Sequence, residues 1–113
     1  MTKGKVVLVP FPFDDLSATK VRPAVCLTNP IGQYNHIILA LITSTIPTHI
    51  TETDIVLNTD HSDFTASGLR KSSTLKLDFL VTVRSSIILR ELGQLSENTQ
   101  DEISRKLCKL LSE

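Results

Sequence analysis

The chain has 113 residues, with 12 basic and 12 acidic side chains and no Trp. That length fits one domain, residues 1–113, burying roughly two-thirds of its unfolded surface around a single core. With 41% hydrophobic and 21% charged residues it is not a disordered chain. No apolar run spans a membrane and the N-terminus lacks a signal pattern, so a cytoplasmic protein is expected.

Four Phe and one Tyr leave the core to Val, Ile and Leu, which favours strands. Val6 to Phe13 is an apolar β run that stops at Asp14-Asp15. A short polar loop, Leu16 to Val21, leads to a second strand opened by Arg22 and running to Thr28. Asn29 to Gly32 is a turn cluster. His36 to Ile42 is continuously apolar, as in a strand buried on both faces, and ends in Thr43-Ser44-Thr45. Asp54 to Leu57 predicts a short strand. Residues 58–68 predict an exposed loop closed by Ser67-Gly68. Ser73 to Leu77 alternates, with Leu75 and Leu77 on one side and Thr74, Lys76 and Asp78 on the other, as a half-exposed strand does. Phe79 to Val83 continues it or pairs with it, and Ile87 to Leu95 adds another apolar segment with Arg90 and Glu91 outward.

Ser96 is placed to cap the one confident helix. Acidic residues fill its early turns and basic ones its later turns. Ile103, Leu107, Leu110 and Leu111 recur at helical spacing and predict an apolar face. Short strands followed by one amphipathic helix predict an α+β, mainly β protein with a small, strongly bent sheet or barrel.

The zero net charge hides a local imbalance. Residues 70–90 hold Arg70, Lys71, Lys76, Arg84 and Arg90 against Asp78 alone, a field suited to phosphate. His36, His49 and His61 lie far apart, with no short His/Cys pair, so neither a metal site nor a cofactor is expected. Cys26 and Cys108 lack Cys-x-x-Cys spacing and read as reduced core residues. No nucleophile elbow, phosphate loop or dinucleotide fingerprint occurs. What remains is polar groups at strand ends: Arg22, Thr43, Ser44, Lys76 and Asp78. Spacing alone leaves two readings open. The groups share a phosphate site, or Arg22 caps a strand, Thr43-Ser44 ends one, and Lys76 and Asp78 face water.

Four blocks in order resemble the MazF/PemK toxins of bacterial type II toxin–antitoxin modules. They are Lys5 to Asp15 with Lys20-Val21-Arg22-Pro23-Ala24-Val25; Ala40 to Ser44; Gly68 to Lys71 with Asp78 to Val83; and Ile88 to Ser96. The resemblance implies an SH3-like barrel, a homodimer, and a metal-independent endoribonuclease that cleaves single-stranded RNA at short sequences. It also implies a cognate antitoxin that occupies the RNA groove. On this resemblance Arg22 and Thr43 are the catalytic pair. Lys76 and Asp78 align with a basic residue and an aspartate used by plasmid-borne members, which carry arginine where this chain has lysine. Ser44 is a further candidate, and Lys20, Arg70, Lys71 and Arg84 are the candidates for RNA phosphate contact. The segment before Arg22 is shorter than in many relatives.

The chemistry implied is attack by a ribose 2′-hydroxyl on the adjacent phosphate, leaving a 2′,3′-cyclic phosphate and a 5′-hydroxyl. Arg22 suits stabilisation of the pentacovalent charge, whereas a permanently charged guanidinium is a poor proton shuttle. The alternative is a toxin of the same barrel that binds and poisons DNA gyrase without catalysis.

Overall fold

The computed structural model describes residues 2–12 and 19–113. Its strands are β1 (Lys5–Pro12), β2 (Thr19–Cys26), β3 (His36–Thr43), β4 (Asp54–Leu57), β5 (Ser73–Arg84) and β6 (Arg90–Gln94). Among the described residues there are also the single-turn helix α1 (Phe64–Ser67) between β4 and β5, a 3-10 turn (Ser85–Ile87) between β5 and β6, and the long α2 (Glu97–Ser112) after β6. The strands form one antiparallel sheet in the order β4-β5-β3-β2-β1-β6, curled into a half-barrel. The mainly β α+β fold with a C-terminal helix is thus as expected.

The central strand behaves as its composition demands. In β3, Ile37, Leu39 and Leu41 point to one face and Ala40 and Ile42 to the other, and all five are buried. Alternation therefore creates two apolar clusters on opposite sides of the sheet. The first gathers Val6, Val25, Ala40, Ile42, Ile55, Leu75 and Leu77 with Ile103 of α2. The second gathers Val7, Val9, Phe11, Ala24, Cys26, Ile37, Leu39 and Leu41, closed over by Val81, Val83 and Ile88. Each fully buried Leu, Ile or Val contributes about 1.5–3 kcal/mol against the entropy of ordering it.

Phe79 to Val83 turns out to continue the preceding strand, giving the 12-residue β5. Its pairing with β3 slips between Leu41↔Lys76 and Ala40↔Leu80, so residues 77–79 lie out of register. An irregularity of this kind bends a strand, which lets one strand serve both halves of the curl. The second strand also differs from expectation. It starts at Thr19 because its ladder with β1 runs to Pro12↔Thr19, so Arg22 lies within the strand and not at its mouth. The expected end of the first strand at Phe13 and Asp14-Asp15, and the loop from Leu16 through Ala18, lie outside the described residues.

Residues 58–68 are not simply an exposed loop. They contain α1, flanked by buried Asp63 and ending on buried Ser67. Both polar groups have partners. The Ser67 hydroxyl donates to the Phe64 carbonyl at 2.5 Å. The Asp63 carboxylate accepts from the Ser96 N–H at 2.9 Å and the Ser96 hydroxyl at 3.0 Å. Ser96 in turn caps α2 by accepting from the Thr99 N–H, as its sequence position predicts. Asp63 therefore ties α1 to the start of α2. Burial opposes ionisation of this carboxyl, but hydrogen bonds from Thr99 and Ser96 outweigh it and hold the pKa below the ordinary 3.8.

Two glycines mark where α1 meets the sheet. Gly68 ends α1 at φ 75°, and a Cβ there would collide with the Leu92 carbonyl. A Cβ on Gly93 of β6 would collide with the Ala66 carbonyl. Along α2, Ile103 is buried and Leu107 packs on the first cluster, but Leu111 is 75% exposed and does not belong to the buried face. Cys108 is exposed on the same helix, so of the two cysteines only Cys26 is a core residue.

Gly93→Ala should destabilise the protein by about 2–4 kcal/mol, because backbone blocks relief of the clash; chemical denaturation measures it. Asp63 has a folded pKa below its unfolded one. Its contribution is therefore complete above pH about 4 and fades as pH falls through the lowered value. The melting-temperature gap between the protein and Asp63→Asn should narrow from pH 6 to pH 3, with a cost near neutrality of about 2 kcal/mol.

Candidate active site

Strand register decides which of the candidate side chains share a surface. In the β1–β2 ladder Val9 faces Arg22 and Phe11 faces Lys20. Val9 and Phe11 belong to the second cluster, so Arg22 and Lys20 project on that face. In the β2–β3 ladder Ala24 faces Leu41. Continuing that register by two residues sets Arg22 opposite Thr43. The β3–β5 ladder then pairs Thr43 with Thr74 and Leu41 with Lys76, and the β4–β5 ladder pairs Lys76 with Asp54.

Two parallel rows result on one face. Val9, Arg22, Thr43, Thr74 and Val56 make the first; Val7, Ala24, Leu41, Lys76 and Asp54 make the second. Directly opposed side chains have Cβ atoms about 5 Å apart, so a guanidinium on β2 and a hydroxyl on β3 can reach one phosphate. Arg22 and Thr43 are both half-buried. Thr43 Oγ1 accepts from the Thr45 N–H at 3.2 Å, which holds the oxygen and leaves its proton to donate. Ser44 follows the strand end and is exposed.

Lys76 is engaged differently from what its neighbour in sequence suggests. Its Nζ lies 3.8 Å from exposed Asp78 Oδ1 but 2.6 Å from Oδ1 of Asp54. The Asp54 side chain is 1% exposed. Its Oδ2 also accepts from the Thr51 N–H at 3.1 Å and the Thr51 hydroxyl at 3.2 Å. Burial alone would raise the Asp54 pKa, but these bonds, led by that from Lys76, hold it below the ordinary 3.8. The same hydrogen bond raises the Lys76 pKa above 10.5, against a smaller opposing effect of burial and aided by Asp78. Lys76 is therefore a permanent cation and a poor proton shuttle near neutrality.

The other basic candidates do not converge on Arg22. Arg70 lines a cleft of about 360 Å³ with Leu8, Pro23, Leu69, Arg90 and Leu92. Leu8 and Pro23 alternate away from Val9 and Arg22, so this cleft opens on the opposite face. Arg84 sits against His36 at the far end of β3, roughly 23 Å along the strand from Thr43, with its guanidinium 4.7 Å from the Tyr34 ring centroid. Lys71 is exposed on the turn before β5. The positive block of residues 70–90 is thus scattered by the fold. Lys20, one row beyond Arg22, stays on the site face, where Phe11 and half-exposed Phe79 stack edge-on at 6.2 Å.

Two members of this surface escaped sequence reasoning. Asp54 appears there only as the first residue of a short strand, and nothing local signals that Lys76, 22 residues on, will meet it. Thr74 was expected to be half-exposed but is fully buried, and its hydroxyl has no hydrogen-bond partner among the described residues. It is the cross-strand neighbour of Thr43. Cys26, on the same face, has its thiol pushed up to about 11 by burial, which makes it a poor nucleophile at neutral pH. Among the described residues no three His, Cys, Asp or Glu side chains form a metal-binding group. No helix there is long and apolar enough to cross a membrane.

Known proteins share this architecture. The solved Mycobacterium tuberculosis toxin MazF-mt6 superposes with a TM-score of 0.72 at 16% identity over 96% of both chains. MazF from Deinococcus radiodurans gives 0.71 at 18% identity over 100% of this chain and 97% of its own. A mycobacterial endoribonuclease solved in complex with its cognate antitoxin gives 0.71 at 14% identity over 99% and 95%. No curated protein sequence matches the chain. The family model for the PemK-like, MazF-like toxins of type II toxin–antitoxin systems matches residues 2–111. With nearly its whole length covered by that family model, and with the half-barrel fold that MazF structures share, the chain belongs to the PemK/MazF-like toxin family.

Proposed function

We propose that the protein is a metal-independent endoribonuclease toxin that cleaves single-stranded RNA and is neutralised by a cognate antitoxin. The observation that carries this reading is that Arg22 and Thr43 lie on neighbouring strands, each two residues beyond the Ala24↔Leu41 pair, and so project on the same face of the sheet. The chemistry follows from the groups present. The ribose 2′-hydroxyl of the substrate attacks the adjacent phosphorus, so the protein needs no nucleophile of its own. The 2′-oxygen forms the new P–O bond, the 5′-oxygen leaves, and the products are a 2′,3′-cyclic phosphate and a 5′-hydroxyl.

Arg22 supplies a planar cationic fork for two non-bridging oxygens as charge develops on them. Thr43 donates its remaining proton to the same group. Because a guanidinium is a permanent cation, water takes the 2′-proton and returns one to the departing 5′-oxygen. Ser44, beside Thr43, and Lys20, one row beyond Arg22, border the path of the RNA chain. Two solved relatives carry their antitoxins, and an antitoxin segment covering this face would exclude RNA. The protein acts as a homodimer in the cytoplasm, where RNA and antitoxin meet. Leu80, Ile87 and Leu89, each at least 40% exposed, are the apolar groups such a dimer would cover.

In EDTA the protein should cleave a single-stranded RNA oligonucleotide to fragments ending in 2′,3′-cyclic phosphate and 5′-hydroxyl, and leave the all-deoxy analogue intact. Arg22→Ala should lower kcat roughly 10²–10³-fold with an unchanged melting temperature. Arg22→Lys should recover little, because an ammonium cannot grip two oxygens. Near-normal cleavage by Arg22→Ala, or intact RNA with inhibited gyrase, would exclude this reading.

A further inference from the structure

We propose that Asp54 is a positioning residue that holds Lys76 as the anchor for a phosphate flanking the reacting one, outside the catalytic group itself. The proposal rests on the RNA-binding face described above and reassigns one of its members. The family resemblance groups Lys76 with Asp78 as possible catalytic or RNA-binding residues; the geometry couples Lys76 to Asp54.

Three observations carry this. First, Asp54 lies directly opposite Lys76 in the β4–β5 ladder, on the side of β5 away from β3. The 2.6 Å bond therefore draws the ammonium away from Thr43. Second, the Asp54 bond decides where the cation points. Lys76 stands two strands and one pleat repeat from Arg22, roughly 11–12 Å between Cα atoms on standard spacings, a gap that two long side chains could close on one phosphate. With its ammonium held on the Asp54 side, Lys76 leans away from a phosphate gripped by Arg22 and Thr43 and toward the next phosphate of an extended strand. Third, the anchor is built. One Asp54 oxygen holds Lys76, the other takes two bonds from Thr51, and the carboxylate is almost wholly buried. Such a carboxylate immobilises the cation, while the Lys76 side chain keeps 28% of its surface exposed to solvent. Asp78, at 3.8 Å and exposed, supplies the second negative group near the ammonium. The device is an ammonium fixed in place, a point charge for a phosphate oxygen.

The test separates binding from chemistry. Affinity for a non-cleavable 2′-O-methyl oligonucleotide is read across a salt series, beside kcat and KM for the cleavable RNA. Lys76→Gln should weaken binding and raise KM about 10-fold, leave kcat within about twofold, and reduce the salt slope by about 0.7. Lys76→Arg should retain the slope. Asp54→Asn should weaken binding in the same way, and Asp54→Asn combined with Lys76→Gln should be no worse than Lys76→Gln alone, because Asp54 acts through Lys76. Should Asp54→Asn fail to fold, the two Lys76 variants still decide.

A fall in kcat at constant KM for Lys76→Gln would overturn the proposal and place Lys76 in the chemistry. Unchanged binding and salt slope would overturn it with cleavage intact. Binding that depends on Lys76 without any cleavage by the unaltered protein would uphold it while sinking the endoribonuclease reading.

Discussion

The pairing of β3 with β2 on one side and β5 on the other is the constraint on which the remaining structure depends. Its faces are both buried, so its register cannot slip. A shift of one residue would exchange the sets Ile37, Leu39, Leu41 and Ala40, Ile42 between two cores of different shape. That fixed register has a chemical consequence. It determines that Thr43, the last residue of the strand, comes out on the face that β2 gives to Arg22 and β5 gives to Lys76. Site geometry is in this sense a by-product of core packing. The apolar residues set the alignment, and the polar residues at the strand end inherit it.

The bend in β5 is the second element of the same design. Where residues 77–79 leave register with β3, the strand passes from covering β4 to covering the start of β3. Lys76 lies just before the break and Phe79 inside it, so the curl of the barrel and the shape of the candidate groove have one cause. Around it, two buried carboxylates do work of different kinds. Asp63 holds α1 to the cap of α2, a purely architectural link. Asp54 holds a cation that faces the groove. Both are buried, both are saturated with hydrogen bonds, and both have lowered pKa values because those bonds outweigh burial.

Much of the site was legible from residues 5–29 and 36–44 because strands announce themselves by period and the family blocks fall at strand ends. Arg22 and Thr43 are the candidates those blocks supply, and Ser96 as a cap needed no tertiary information, since capping acts within one turn. Less could be read where the signal was not local. Residues 58–68 looked like open loop because Asp63 and Ser67 are polar, yet each is buried through a partner, and Asp63 finds its own 33 residues away. Thr74 looked half-exposed because it alternates with leucines, yet the curl of the sheet covers it on both sides.

The amino-acid sequence by itself determined most of the strands, the C-terminal helix and the two-faced burial of the central strand. These rest on periodicity and on short-range chemistry, which any stretch of chain carries with it. Only the tertiary structure decided which cations share a surface. The run from Arg70 to Arg90 reads as one positive block, but alternation along β5 and the order of the strands send its members to different places. Arg70 and Arg90 go to a cleft on the opposite face, Arg84 to the far end of β3, and Lys76 to the groove in the grip of Asp54. Charge in a sequence is a sum over neighbours in the chain, whereas the field at a phosphate is a sum over neighbours in space, and here strand pairing sets those neighbours.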